Sequence, residues 1–379
     1  MNSVVLALIV SLTLGGSGRP VAAPDTGLGA AHAAVAETTR PSSGATPSAA
    51  ATPTLSQLIG QKLVVRMDGT TPSADLLGRI KRGEIGGVIL MGFNITTRSA
   101  LVALTGKLRA AAASGGQPPL LIAVDQEGGP IKRVPWAPPT LSPPEMGRLA
   151  STAVARDQGA KTGSALLGLG INVDFAPVAD VPGSTSSFMY RDGRTFSFDA
   201  SRTAYLSDAF ATGLESQGVI PSMKHFPGIG LATRNTDDYV VTIRASATAL
   251  ALGLRPYRRA ISHSIPLIML SNATYTAYDP HYAAGWSRPI ETLLRHDLGY
   301  TGATITDSLD GTAHARGLST SHLALRAAQA GTDMILVTGS EATSRAVYAT
   351  LLAGAQSGSI ARTTLRASYD RIITLKSGL

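Results

Sequence analysis

Two polar side chains, Lys224 and His225, directly follow the apolar run from Val219 to Met223, which is typical of a buried strand. A loop rich in Gly and Pro comes next. In an α/β barrel, chemistry is carried out by side chains at the C-terminal ends of the strands. A Lys and a His in this position therefore predict a functional site. A structural ion pair and a buried histidine are the alternative explanations.

Two carboxylates follow another apolar run. Asp125 and Glu127 come after Leu120–Val124 and stand beside Gly128 and Gly129, which allow the backbone to approach a ligand closely. A carboxylate in this position can accept hydrogen bonds from two hydroxyl groups and thereby orient a ligand such as a sugar. A helix-capping turn is the alternative interpretation.

A third carboxylate, Asp307, directly follows the run Ala303–Thr306. A carboxylate that points into a site from the end of a strand can attack an anomeric carbon. The alternative role for Asp307 is a helix N-cap. Asp310 lies three residues further on, beyond the strand, and is the less suitable nucleophile.

Eight apolar runs alternate with helical patterns along the chain and position these residues. The runs are Lys62–Arg66, Gly87–Met91, Leu120–Val124, Asn172–Ala176, Ile220–Lys224, Leu267–Ser271, Ala303–Thr306 and Met334–Val337. The helical patterns are Ser99–Ala113, Ala153–Leu169, Arg202–Gln217, Thr248–Ser264, Ile290–Asp297, Ser321–Ala330, Ala342–Ala355 and Arg362–Ser377. Continuous apolar strands alternating with helices indicate a parallel sheet. Eight such units predict a single (β/α)8 barrel, with a doubly wound open sheet as the alternative.

The composition limits the class of protein. The 379 residues include no Cys, which excludes disulfides, thiolate metal sites and a lipid-modified Cys. The formal net charge is +8, which fits either a generally basic protein or attraction to anionic surfaces such as cell-wall polymers. No dense Lys/Arg run predicts nucleic-acid binding. The seven His show no metal-ligand spacing, and no phosphate-binding loop is present, so we expect neither a metal nor a cofactor.

The N-terminal part of the chain has the composition of a targeting segment. The run Val4 to Leu14 is too short to span a bilayer and fits a signal peptide over residues 1–23, which ends in small residues. An uncleaved anchor or an apolar tail is the alternative. Residues 24–53 are rich in Ala, Pro, Ser and Thr and predict a flexible linker before a domain at 54–379. We therefore expect a secreted or cell-wall-associated protein that is monomeric and has no stable membrane span once mature.

Four segments, in this order, resemble signatures of the family-3 glycoside hydrolases, particularly their β-N-acetylglucosaminidase branch. They are Asp125 to Arg133 (DQEGGxxxR), Asn172 to Asp180 (NVDFAPVxD), Lys224 to Gly230 (KHFPGxG) and Thr306 to Leu309 (TDxL). The resemblance covers about residues 54–379. It implies retaining, exo-acting hydrolysis of a β-linked sugar, most simply N-acetylglucosamine from cell-wall glycans. In that reaction Asp307 would be the nucleophile, and Asp125, Arg133, Arg194, Lys224 and His225 would hold the sugar.

The chain departs from this branch at the acid/base. Where the branch has an Asp-Ser-His triplet, this sequence has Asn235, Thr236 and Asp237. Asp237 could act as the acid if burial or a nearby carboxylate such as Asp307 raised its pKa. Asp238, His314 and the absence of any acid are the other possibilities. The alternatives for function are a catalytically silent barrel that binds muropeptide or wall glycan, and a β-glycosidase of other specificity.

Overall fold

The computed structural model describes residues 52–379. The signal peptide predicted at 1–23 and nearly all of the linker predicted at 24–53 lie outside these described residues. Within them, no helix is both long enough and apolar enough to cross a membrane.

Eight parallel strands form one nearly closed barrel, which confirms the predicted (β/α)8 fold. The strands are β1 (Leu63–Arg66), β2 (Gly87–Ile89), β3 (Leu121–Val124), β4 (Val173–Asp174), β5 (Ile220–Phe226), β6 (Leu267–Leu270), β7 (Ala303–Thr306) and β8 (Ile335–Val337). Neighbours in the chain are neighbours in the sheet, and β1 pairs with β8. A bridge between Ile305 and Met334 joins β7 to β8 and brings the two ends of the sheet together.

Helices surround the barrel, and each predicted helical pattern lies at or near one or two of them. They are Leu55–Gly60, Ala74–Lys81, Arg98–Ser114, Pro143–Leu149, Thr152–Leu167, Phe188–Arg191, Ala200–Glu215, Ala247–Leu250, Arg255–Ser262, Arg288–Thr292, Leu309–Ala315, Thr320–Ala330, Glu341–Gln356 and Arg362–Lys376. Short 3-10 turns at Gly92–Asn94 and Ala284–Trp286 and a π turn at Leu293–Asp297 complete the set. The helix predicted at Thr248–Ser264 is wrong in one respect, because it is two helices. Pro256 occupies the first turn of the second helix, where its missing N–H costs nothing, and it could not lie within one continuous helix.

Alternation along the strands decides which side chains reach the mouth of the barrel. Val64 belongs to the cluster inside the barrel, whereas Leu63 and Val65 pack outward against the helices. Because strand side chains alternate, a residue two positions after an interior residue shares its face. Ala123 and Ile305 are also interior. Asp125 and Asp307 therefore continue the interior rows out to the C-terminal mouth.

Two small sheets hold the loops at this mouth. A hairpin of Gln126–Gly128 and Ile131–Lys132 follows β3, and its turn uses Gly128 and Gly129 at φ 96° and 58°. Such positive φ values favour glycine. A three-stranded sheet contains Thr242–Ile243, Thr274–Tyr275 and Asp279–Ala283. Its first strand anchors the end of the long loop that follows β5.

Candidate active site

A cavity of about 270 Å³ opens at the C-terminal end of the barrel. All seven site residues predicted from the sequence line it. These are Asp125, Arg133, Arg194, Lys224, His225, Asp237 and Asp307. Apolar side chains of the barrel interior, Ile89, Met269 and Leu336, also line the cavity. Strands three, four, five and seven and their loops therefore bring the predicted set together.

A network of charges forms one wall of the cavity. The ammonium group of Lys224 lies 2.7 Å from both Asp125 Oδ1 and Glu127 Oε1. Arg194 donates from Nη2 to Glu127 Oε1 at 2.8 Å and from Nε to Oε2 at 2.9 Å. Arg133 is looser, with Nη2 3.8 Å from Asp125 Oδ2. Lys224 and Arg194 are thus held in close ion pairs with carboxylates, and Arg133, Arg194 and Lys224 all line one cavity.

Glu127 is the centre of this network, and sequence reasoning gave it no separate role. Burial alone would raise its pKa, but the charges of Arg194 and Lys224 outweigh burial and lower the pKa to about 2. Burial would likewise lower the pKa of Lys224, yet Asp125 and Glu127 raise it above its usual value. Glu127 therefore stays ionised and holds two cations in place. In the sequence, the feature that could have indicated this role is the position of Glu127 within the DQEGG segment.

Asp180 is the second residue that sequence reasoning missed. Its Oδ2 lies 2.7 Å from His225 Nδ1, and its Oδ1 accepts from the backbone N–H of Ile229 at 2.8 Å. The other ring nitrogen of His225, Nε2, is 4.0 Å from Asp307 Oδ2. His225 is therefore oriented by one buried carboxylate and presented to a second one. Asp180 ends the NVDFAPVxD segment, which was the signal in the sequence.

Asp307 is held at the end of β7 by backbone contacts. Its N–H donates to the carbonyl of Leu270 at 2.9 Å, and its Oδ1 accepts from the N–H of Ser308 at 2.7 Å. The N-cap of the next helix, Leu309–Ala315, is Ser308, so Asp307 does not occupy the capping position. Asp310 accepts from the backbone of Thr338 and does not line the cavity. Of these two neighbouring carboxylates, only that of Asp307 lines the cavity.

Asp237 is the candidate acid that enters the same cavity. Burial, and then the negative charge of Asp307, raise its pKa to about 7. Its Oδ1 is buried and has no hydrogen-bond partner among residues 52–379. Asn235 shapes the turn by accepting from the N–H of Asp237 at 3.1 Å. Asp238 and His314 are exposed and lie outside the cavity, so the geometry favours Asp237 among the possible acids.

Gly311 sets the space available to the loop that carries Asp237. A Cβ at Gly311 would lie 2.6 Å from the carbonyl oxygen of Asp237 and 3.1 Å from its Cβ. We expect Gly311→Ala to push the loop outward and to lower kcat/KM about 10–100-fold, the scale of a displacement near 1 Å. The loss should be larger for glycosides with poor leaving groups, which need the acid.

The matched control for this prediction is Gly106→Ala, since a Cβ at Gly106 meets nothing within 4 Å. That variant should retain parental kinetics. A Gly311→Ala protein with parental turnover of poor leaving groups would show that the loop tolerates the methyl group.

Replacement of Glu127 by Gln should weaken the fold as well as the site. The side chain is almost fully buried, and its loss of charge leaves Arg194 without its ion-pair partner. Breaking a buried pair costs about 3–5 kcal/mol of unfolding free energy. Because the pKa of Glu127 falls from 4.5 to about 2 on folding, its stabilisation is complete above pH 4.5 and is lost as pH falls through 2.

Chemical denaturation at pH 7 and pH 3 would measure the effect of Glu127→Gln. The parent should lose stability toward pH 3 more steeply than the variant. Asp157→Asn, which breaks an exposed pair with Lys161, is the control and should cost only about 0–1 kcal/mol. Equal losses for the two variants would contradict a structural role for the Glu127 network.

Comparison with known proteins agrees with this geometry. The sequence of residues 54–375 matches the family described as glycosyl hydrolase family 3 N terminal domain. An uncharacterized secreted glycosyl hydrolase of Arthroderma benhamiae is 33% identical over 329 residues, which are 84% of this chain and 92% of that protein. A beta-hexosaminidase of Nitrosomonas eutropha is 32% identical over 283 residues, which are 73% of this chain and 80% of that protein.

Solved structures give the same result. The beta-N-acetylhexosaminidase of Beutenbergia cavernae has a TM-score of 0.79 and 30% identity, with 86% of this chain and 99% of that chain covered. The family 3 beta-N-acetylglucosaminidase of Paenibacillus sp. str. FPU-7 has a TM-score of 0.82 and 29% identity, with 86% of this chain covered. The match spans 63% of the Paenibacillus chain, which is the longer of the two proteins.

The fold and the relatives define the class of protein first: it is an O-glycosyl hydrolase, an enzyme that acts on carbohydrate. The four sequence motifs at 125–133, 172–180, 224–230 and 306–309 agree with this class. The chain belongs to glycosyl hydrolase family 3, as their resemblance predicts.

Proposed function

We propose that this protein is a retaining, exo-acting β-N-acetylhexosaminidase that removes N-acetylglucosamine from cell-wall-derived glycans. The observation that carries the proposal is the pairing of two carboxylates in one cavity. Burial and Asp307 raise the pKa of Asp237 to about 7, so Asp237 can hold a proton near neutral pH. A carboxyl group that keeps its proton, in the same cavity as a second carboxyl group, provides an acid beside a nucleophile.

In the proposed reaction, Asp307 attacks the anomeric carbon while the bond to the leaving oxygen breaks. Asp237 donates its proton to that oxygen, and a covalent glycosyl–enzyme intermediate forms. Asp237 is then ionised and removes a proton from water, whose oxygen attacks the anomeric carbon and releases Asp307. Two displacements at one carbon retain the anomeric configuration.

The charge network would hold the sugar. Asp125 can accept hydrogen bonds from hydroxyl groups, Arg133, Arg194 and Lys224 can donate to them, and Nε2 of His225 is the ring nitrogen left to form a hydrogen bond with a hydroxyl group. A cavity of about 270 Å³ is just below the usual range for ligand sites, about 300–1,000 Å³, which favours a single sugar residue at the chain end.

Export and the wall-derived substrate rest on other features. The proposed signal peptide at residues 1–23 and a relative that is named as secreted favour action outside the cell. The net charge of +8 favours attraction to anionic polymers there. We propose that the protein acts as a monomer, since the proposed site residues all lie around one cavity of a single chain.

Release of 4-nitrophenol from its β-N-acetylglucosaminide, compared with its β-glucoside, tests the proposal. We expect kcat/KM to be higher for the N-acetyl substrate. Higher activity on the glucoside would contradict the proposed sugar specificity. Binding of N-acetylglucosamine without turnover of either glycoside would favour a silent binding barrel.

A further inference from the structure

An exposed apolar surface lies on the outward side of the loops that follow β4 and β5. Its large side chains have exposed fractions between 40% and 51%. Single exposed apolar residues are normal, but a contiguous group of them usually marks a surface that binds another molecule. None of the roles assigned above uses these side chains. They are Tyr190, Phe198, Leu231, Tyr239, Val240 and Leu252.

Ring contacts and two shared grooves join these side chains into one apolar surface. The centres of the Tyr190 and Phe198 rings are 4.8 Å apart. Phe198, Leu231 and Leu252 line a groove of about 190 Å³. Leu231 and Val240 line a second groove of about 300 Å³. Leu231 therefore lies at the centre, and the surface continues from it in both directions.

Hydrogen bonds fix the two loops that carry this surface. The N–H of Gly183 donates to the carbonyl of Gly230 at 3.1 Å. Arg191 Nη2 donates to the carbonyl of Thr233 at 2.8 Å. The loop after β4 and the loop after β5 are therefore joined to each other. Their side chains are arranged before a partner binds, which lowers the cost of ordering them on binding.

Arginines surround the apolar surface and outnumber the acids. In segments 181–202 and 227–255, three exposed acids accompany five exposed arginines. Several of the arginine contacts are with neutral groups, such as the Ser201 hydroxyl for Arg255 and the Tyr239 ring for Arg234. The acids are Asp192, Asp199 and Asp238, and the arginines are Arg191, Arg202, Arg234, Arg244 and Arg255.

This combination of side chains matches the surface of an anionic bilayer. Leu, Val and Phe side chains can enter the boundary between headgroups and acyl chains, and Tyr rings are suited to the same depth. Guanidinium groups bind phosphate oxygens in pairs. An anionic polymer in water would use the arginines but would leave the apolar side chains exposed, so the apolar surface favours a lipid partner.

We propose that the apolar surface and its arginines dock the protein on an anionic lipid bilayer. The apolar side chains enter the bilayer boundary, and the arginines bind the lipid phosphates. Such peripheral binding needs no membrane-spanning helix. The inner side of the same loops lines the cavity with Phe188, Ile229 and Asp237, so docking holds the cavity close to the lipid. The inference goes beyond the proposed function, because lipid binding requires no turnover.

Co-sedimentation of the full chain with vesicles of phosphatidylglycerol or phosphatidylcholine tests the docking. We expect stronger partitioning onto phosphatidylglycerol, and high salt should reduce the difference. An arginine near an anionic lipid surface contributes about fivefold to binding, so Arg244→Gln combined with Arg255→Gln should weaken partitioning about 25-fold. Phe198→Ser combined with Leu252→Ser should weaken it about tenfold or more, since less apolar area leaves water.

Two control pairs remove the same kinds of side chain elsewhere on the barrel. Val102→Ser with Leu318→Ser removes exposed apolar groups, and Arg98→Gln with Arg362→Gln removes exposed arginines. Both pairs should partition like the parent. Thermal unfolding of all four double variants should be close to parental, because the substituted residues are exposed. The apolar run at 4–14 is the same in every variant, so the comparison isolates the apolar surface.

Several outcomes would overturn the docking. One is equal partitioning onto the two kinds of vesicle, and another is partitioning that survives Phe198→Ser with Leu252→Ser. Sensitivity to the arginine pair alone would indicate a site for anionic polymers instead. A parent that ignores vesicles but forms a dimer through Phe198 and Leu252 would make this surface an interface between two copies. If the parent binds vesicles as expected but hydrolyses no glycoside, the docking stands and the proposed hydrolysis fails.

Discussion

Replacement of Asp307 by Ala is expected to lower kcat for a β-N-acetylglucosaminide on the order of 10⁴–10⁶-fold, the range seen when members of a covalent catalytic set are removed. The carboxylate lies at the cavity mouth, and the hydrogen bond that its side chain accepts comes from Ser308 N–H. Its loss should therefore change unfolding free energy little, because no core contact is removed. Kinetics and thermal unfolding of the same preparation measure both effects.

The adjacent Asp310 provides the matched control. Asp310→Ala removes acceptors for Thr338 N–H and the Thr320 hydroxyl, so it should lower stability more than Asp307→Ala while retaining an intact nucleophile. A 5-fluoro glycosyl fluoride, which slows release of the covalent intermediate, should label Asp307 in the parent. A label on Asp310, or substantial turnover by Asp307→Ala, would contradict the assignment.

The barrel could be predicted from the sequence because its strands are buried on both faces. A strand such as Leu121–Val124 is apolar at every position, with one set of side chains inside the barrel and the other against helices. This pattern distinguishes a parallel sheet from the alternating strands of a half-exposed one. The break at Pro256 could have been predicted too, from proline chemistry alone.

The location of the candidate site could also be predicted, because parallel strands present all their C-terminal ends at one mouth. Asp125, Lys224 and Asp307 are far apart in the chain, yet each ends an interior row. Their shared cavity follows from that topology, once the eight runs are recognised as strands.

The pairing of the charges could not be predicted in the same way. Glu127 lies in a hairpin whose turn depends on two glycines at positive φ, and the direction of its side chain follows from that turn. The spacing of residues does not predict that Glu127 pairs with both Lys224 and Arg194, or that Asp180 pairs with His225. Such contacts are set by the packing of loops from different strands.

Replacement of Asp237 by Asn is expected to slow glycosides with poor leaving groups about 10²–10⁴-fold, the usual contribution of general acid catalysis. An activated aryl glycoside should lose much less, because its leaving group departs without a proton. Asp238→Asn is the matched control, since Asp238 is the neighbouring carboxylate but is exposed and outside the cavity. Equal losses on both substrates would assign Asp237 a positioning role.

The pH dependence of the parent gives an independent test of the same residue. Burial and Asp307 raise the pKa of Asp237 to about 7, so the protonated donor predominates below pH 7 and disappears above it. For a poor leaving group, kcat/KM should therefore fall as pH rises through 7, and the fall should be absent in Asp237→Asn. Since kcat/KM reports ionisations of the free enzyme, this profile reports the pKa of Asp237 before substrate binds. A parent whose kcat/KM stays constant from pH 6 to 9 would show that Asp237 does not donate the proton.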